Sequence, residues 1–346
     1  MKSHRLLPCL IVMAVAVCRP AAADTAWPTK GWLTSTPSAQ GMDGSRLDAA
    51  LDAAQKKGLA LHAVLVIRHG FVVKEKYFPP TDASSADEMY SCTKSFVSAL
   101  VGIAIDKGYI AGVAQPALGF FPDRKFDTSD PRRQALKLED LLTMSSGLDW
   151  TEGDPAYRQL YRTSRDWVKV ILGLPMAAVP GKVFTYSSAN SHILSAIIQE
   201  KTGMNTYDFA CAQLFGPLGL KNPSWDRDPA GIPIGGWGLK LTPRDMAKLG
   251  YLYLHEGAWE GKQVVSSAWV RNSTRPHIPA SGTLKYGYQW WISPQGGWFA
   301  ALGRFGQCIF VVPSLDMVVV FTAKIDSNDP EAELLLKYIM PACNPG

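Results

Sequence analysis

The chain has 346 residues, 47% hydrophobic and 10% aromatic, which is enough apolar material for a large core in one or two lobes. Lys and Arg total 35 against 30 Asp and Glu, and the resulting charge of +5 is spread along the chain. Lys56-Lys57 and Arg132-Arg133 are pairs rather than patches, so nothing here resembles the electrostatic footprint of a nucleic-acid partner.

Residues 1–23 carry Lys2 and Arg5, a short apolar run from Leu6 to Val17, and Ala21-Ala22-Ala23. This is the pattern of a secretory signal peptide cleaved after Ala23, too short to span a membrane. Val17 is larger than lipoprotein processing wants before Cys18. The mature chain, 24–346, is therefore expected in the periplasm or the medium. Its cysteines are Cys92, Cys211, Cys308 and Cys343. An oxidising compartment permits disulfides among them, but a chain this large does not require any. The six histidines are scattered and no His/Cys/Asp cluster has ligand spacing, so no metal or other cofactor is expected.

Ser45 to Lys57 reads as an amphipathic helix stopped by Gly58. His62 to Ile67 and Phe71 to Phe78 read as a hairpin turning at Arg68-His69-Gly70. After Asp87-Glu88-Met89-Tyr90 comes Ser91-Cys92-Thr93-Lys94, at the head of an apolar helix that stops at Lys107-Gly108. Residues three apart share a helix face, so the Ser91 hydroxyl and the Lys94 amine can meet. Burial and the positive helix end both disfavour an ammonium there, the direction a general base needs. Backbone N–H groups near Ser91 offer half of an oxyanion hole. A capping serine beside a snorkelling lysine would satisfy the same four residues.

Asp149 to Tyr157 reads as a loop over the site, with Trp150 and Tyr157 as aromatic ligand contacts. Tyr186 precedes a second apolar helix, from about His192 to Thr202, with Ser191 as an acceptable N-cap. A phenol beside a lysine can shuttle a proton, held by Ser188 and Asn190; a packed tyrosine in a capping loop is the alternative. Thr242-Pro243-Arg244-Asp245 opens another helix with an N-cap and a proline. Near the end, Gly303-Arg304-Phe305-Gly306-Gln307 leads into two β-prone runs, Cys308 to Val312 and Met317 to Phe321. A strand edge there can supply a second oxyanion N–H, from Gln307, and a cation, Arg304, for a substrate carboxylate. A last helix covers roughly Pro330 to Met340.

These segments together resemble the serine β-lactamase and penicillin-binding-protein superfamily, whose motifs are S-x-x-K, a Tyr or Ser motif, and K-T-G. The resemblance is closest to the class C-like branch, which holds esterases, D-amino-acid peptidases and 6-aminohexanoate-dimer hydrolases. Leu141 to Leu148, Gly235 to Leu239 and Tyr286 to Trp291 look like that branch too. Two departures count against an efficient β-lactamase. Tyr186-Ser187-Ser188 with Asn190 replaces Tyr-x-Asn, and Arg304-Phe305-Gly306 replaces K-T-G, keeping a glycine and a positive charge.

The expected fold is α/β (α+β), β-lactamase/transpeptidase-like: an antiparallel sheet from both chain ends, flanked by helices, with a helical lobe inserted at roughly 91–240. The expected function is a secreted serine hydrolase forming an acyl-enzyme on Ser91. Lys94 and Tyr186 move protons, and the Ser91 and Gln307 amides hold the oxyanion. Substrate contacts are expected from Ser188, Asn190, Arg304, Gly306, Tyr157 and Trp150. The substrate would be a small ester, amide or peptide. A non-hydrolytic binder of penicillins or peptidoglycan fragments, and a D-Ala-D-Ala carboxypeptidase or β-lactamase, are the alternatives.

Overall fold

The computed structural model of the chain describes residues 27–343; the expected leader over residues 1–23 lies outside them. Nine strands make one sheet. In chain order they are β1 (Leu33–Thr34), β2 (Leu61–Arg68), β3 (Phe71–Tyr77), β4 (Ile278–Pro279), β5 (Lys285–Tyr286), β6 (Trp291–Ser293), β7 (Trp298–Gly303), β8 (Gln307–Val312) and β9 (Met317–Ala323). Across the sheet they run β1-β3-β2-β9-β8-β7-β6-β5-β4. Only β1 and β3 are parallel. The last strand pairs with the first long one, Val319 opposite Val66 and Val320 opposite Leu65, so both chain ends build a single sheet.

The period-two alternation of a strand assigns each side chain to a face. Leu65, Ile67, Phe299, Ala301, Ile309, Val318 and Val320 belong to one core, and Val64, Val66, Ala300, Phe310, Val319 and Phe321 to the other. Both faces are covered, which is why β9 reads as an unbroken apolar run. The same alternation separates Cys92, packed in the first core, from Cys308 in the second, and all four described cysteines are free thiols.

The second face is covered by α1 (Gly44–Lys56), whose N-cap Asp43 accepts from the Ser45 N–H, and by the C-terminal helices. Most other helices come from the stretch between β3 and β4. These include α2 (Thr93–Asp106), α3 (Pro155–Thr163), α4 (Ser188–Thr202) and α5 (Pro243–Leu254). Every residue of α2 from Thr93 to Ala104 is buried, as its all-round apolar sequence requires. Helix α5 follows the expected 91–240 stretch and lies directly on β9, β8 and β2. Gly250 lets it approach, because a Cβ there would stand 2.7 Å from Val318 Cγ1 and 2.9 Å from Ile309 Cγ2. After β9 the chain closes with α6 (Asp329–Leu334) and a continuation through Ala342. Among the described residues no helix is long and apolar enough to cross a membrane.

Candidate active site

The Ser91 turn is held from two sides. Upstream, Asp87 and Glu88 pair with Leu241 and Lys240, and the Met89 N–H donates to the Leu239 carbonyl at 2.9 Å. Tyr90 then takes a positive φ of 46°, which an ordinary residue adopts only when its surroundings impose it. Tyr90–Cys92 forms a 3-10 turn, so Ser91 sits just before α2 rather than within it. On the other side lies the end of β7. Gly303 makes this fit possible, since a Cβ there would stand 2.3 Å from the Met89 carbonyl and 3.3 Å from the Cys92 nitrogen.

The geometry excludes the capping-serine and snorkelling-lysine reading of the S-x-x-K segment. Helix α2 has Cys92 at its N-cap position and no side-chain cap, so Ser91 does not cap it. Lys94 is 1% exposed and does not snorkel. Its Nζ lies 2.8 Å from Ser91 Oγ, 3.0 Å from Ser188 Oγ and 2.8 Å from the Gly236 carbonyl oxygen. Burial pulls the Lys94 pKa down to about 8, against the opposing charge of Glu152. Gly235 and Gly236 bring that carbonyl in, because side chains there would collide with the Ser191 carbonyl at 1.9 Å and with Ser188 Cβ at 2.8 Å.

Helix α4 begins one turn earlier than expected, at Ser188. Ser187, not Ser191, is its N-cap and accepts from the Asn190 N–H. Ser188 thereby faces Lys94, while Asn190, two residues on and about 200° further round, is fully buried and does not border the cleft. Tyr186 stands on the approach to α4. Its ring stacks on Trp291 at 5.6 Å, and the Lys94 Nζ lies 5.0 Å from its centroid. Burial pushes the Tyr186 pKa up, against the opposing influence of the Ser91 hydroxyl, so the phenol keeps its proton at neutral pH.

Ser91, Tyr186 and Ser188 open into a cavity of about 1100 Å³, bordered also by Trp150, Trp291 and Arg304. Arg304 is exposed at its rim, its guanidinium 4.5 Å from the Phe305 ring centroid, and among the described residues it forms no ion pair. Trp150 donates from Nε1 to Glu152 Oε2 at 2.8 Å. Tyr157 falls within α3, and its side chain lies outside the described residues.

Besides Asn190, two expected contacts are corrected. Gln307 lies at the head of β8, a strand enclosed between β7 and β9, opposite Gly303 in register. Its side chain donates to the Ala323 carbonyl at 2.7 Å, and it does not border the cleft; the backbone beside Ser91 is that of Gly303 and Arg304. Gly306 turns the chain at φ 83° and packs against Glu331 and Ala323, away from the cavity. Sequence reasoning also missed Glu152 as a member of the site. Its carboxylate accepts from the Ser188 N–H at 2.9 Å and from the Ser188 hydroxyl at 2.6 Å. No spacing rule links residues 36 positions apart, so only its place in the Asp149 to Tyr157 loop hinted at it.

The sequence profile of the family described as Beta-lactamase matches residues 46–343. A 6-aminohexanoate-dimer hydrolase from Paenarthrobacter ureafaciens is 27% identical over 286 residues, 75% of this chain and 71% of that protein. Among solved structures, EstCE1, described as a hydrolase with promiscuous acyltransferase activity, superposes with a TM-score of 0.73 at 17% identity, covering 87% of this chain and 98% of its own. An octameric penicillin-binding protein homologue from Pyrococcus abyssi gives 0.69 at 18% identity, covering 87% and 78%. At those identities the two structures establish the fold alone. The profile spans the residues gathered around Ser91 and every strand of the sheet except β1, and the chain belongs to the beta-lactamase family and is a hydrolase.

Proposed function

We propose that the chain is a serine hydrolase that cleaves an ester or amide through an acyl-enzyme on Ser91, exported after removal of residues 1–23. One observation carries this reading: the hydrogen bonding of Lys94 leaves only its Ser91 side open. The Gly236 carbonyl can only accept, and the Ser188 hydroxyl, which donates to Glu152, accepts as well. Two N–H bonds of a neutral amine are thereby committed. The remaining lone pair faces Ser91 Oγ at 2.8 Å.

Ser91 Oγ attacks the substrate carbonyl carbon and passes its proton to Lys94. The carbonyl oxygen becomes an oxyanion beside the Ser91 amide and the backbone of Gly303 and Arg304. Collapse breaks the bond to the leaving group, which takes a proton from Tyr186, and Tyr186 is reprotonated from Lys94. Water then adds to the acyl-enzyme, losing its proton to the same pair, and frees the acid and Ser91. Arg304, without an ion pair among the described residues, suits substrates that carry a carboxylate, a class including peptide C-termini and the 6-aminohexanoate dimer named for the relative.

The test is turnover of p-nitrophenyl butyrate together with labelling by a fluorophosphonate. The expected result is one label, on Ser91, and no turnover by Ser91→Ala. Labelling of another serine, or full activity in the alanine variant, would refute the mechanism. Stable labelling without turnover would mark the chain as a binder.

A further inference from the structure

We infer that Glu152 is a positioning residue of the proton relay: its carboxylate fixes the direction of the Ser188 hydroxyl, and through it the direction in which Lys94 faces Ser91. The inference rests on the reading of Lys94 as the base for Ser91.

The argument starts from a count of protons. The Ser188 hydroxyl has one hydrogen and can donate once. It lies 2.6 Å from Glu152 Oε1 and 3.0 Å from Lys94 Nζ. Donation to the carboxylate is charge-assisted, and it leaves an oxygen lone pair for a Lys94 N–H. Without the carboxylate the hydroxyl is free to rotate and donate to the Lys94 lone pair. That lone pair is the one Ser91 needs, so a misdirected Ser188 competes with the nucleophile for its base. Glu152 excludes the competing rotamer.

Its own position is fixed by two further donors, the Ser188 N–H at 2.9 Å and Trp150 Nε1 at 2.8 Å. The three hydrogen bonds to its carboxylate oxygens, from Trp150 Nε1, the Ser188 N–H and the Ser188 hydroxyl, are all donated to it. The Ser188 N–H belongs to the first turn of α4, where amides lack intrahelical acceptors and negative charge is favoured. Glu152 comes from a loop, not from the frame that holds Ser91, so the relay is completed only when this loop is in place.

A second consequence follows from charge. Glu152 favours the protonated form of Lys94, opposing burial. The other titratable groups that act on or lie beside Lys94 are Cys92 and Tyr186, and those that feel Glu152 are Tyr161 and Tyr186. Removing the charge while keeping the shape therefore makes Lys94 easier to deprotonate and at the same time misdirects it.

The experiment measures kcat/KM for p-nitrophenyl butyrate against pH in the wild type, Glu152→Gln, Glu152→Asp and Ser188→Ala. Glu152→Gln is expected to lower the plateau on the order of tenfold to a hundredfold and to move the acid limb to lower pH. Glu152→Asp keeps the charge, so its plateau falls while its acid limb stays in place. In the Ser188→Ala background, Glu152→Gln should cost no further plateau rate, because the route through Ser188 is already gone. A wild-type plateau in Glu152→Gln, an unmoved limb, or a full additional loss in the double variant would overturn the inference. If Glu152→Gln does not fold, Glu152→Asp decides alone, and an intact plateau or a shifted limb refutes it. Failure of the underlying reading looks different, since the wild type itself would then not label on Ser91.

Discussion

Replacing Lys94 by methionine should make the stability of the fold depend on pH in a way that isolates this one amine. In the folded chain burial lowers the Lys94 pKa from its ordinary 10.5 to about 8. Between those two pH values the unfolded chain holds a proton that the native state has released. Where the unfolded state binds more protons, stability rises with pH. Below about 8 both states are protonated and above 10.5 neither is, so the effect is confined to that window. A difference of that size corresponds to about 3 kcal/mol. Lys94 is 1% exposed, so solvent screening does not erase it. Urea unfolding of the wild type and Lys94→Met at pH values on either side of the window gives the difference directly. Bonds lost on substitution contribute equally at each pH and cancel. The wild type should gain about 3 kcal/mol on the variant as pH rises through the window. A difference flat with pH would show that Lys94 titrates as an ordinary lysine, and the acyl-enzyme mechanism would lose its base. In the wild type, the acid limb of kcat/KM should fall near the same value of about 8.

Tyr186→Phe should lower kcat on the order of a hundredfold, and combining it with Lys94→Ala should cost less than the product of the two losses; a nearly intact rate would leave Tyr186 as packing against Trp291. Arg304→Ala should raise KM for carboxylate-bearing substrates and spare neutral p-nitrophenyl esters, whereas equal loss on both would mean that Arg304 reads no charge. Gly250→Ala should destabilise the fold by about 1–3 kcal/mol in urea, because its methyl collides with β9 and β8 beneath α5. No measurable change would mean that α5 can shift off the sheet.

Much of the frame was legible in the order of residues. The i, i+3 spacing of Ser91 and Lys94 needs only helix geometry, and the all-round apolar run after them needs only a buried helix. The hairpin strands at both ends announced themselves by composition, and Gly58 marked the end of α1. Boundaries read less well. Ser187 and Ser191 are both acceptable caps, and the choice between them put Ser188 inside the site and Asn190 outside it. Gln307 was misplaced for a related reason: a strand's neighbours, not its sequence, decide whether its amides face a cleft or another strand.

What the sequence determined by itself was therefore local: the pairing of Ser91 with Lys94, the strands' alternating faces and the helices' apolar character, all set by contacts within a few residues. Only the tertiary structure decided the rest of the site. The acceptors that orient Lys94 come from 94 and 142 residues away, and the carboxylate that orients Ser188 comes from a loop 36 residues before it. Gly236 and Gly303 matter because another backbone passes where their side chains would be. A neutral lysine needs burial, and burial is a property of everything that packs around it. That is why a four-residue motif could suggest the nucleophile and its base but could not say which way the base points.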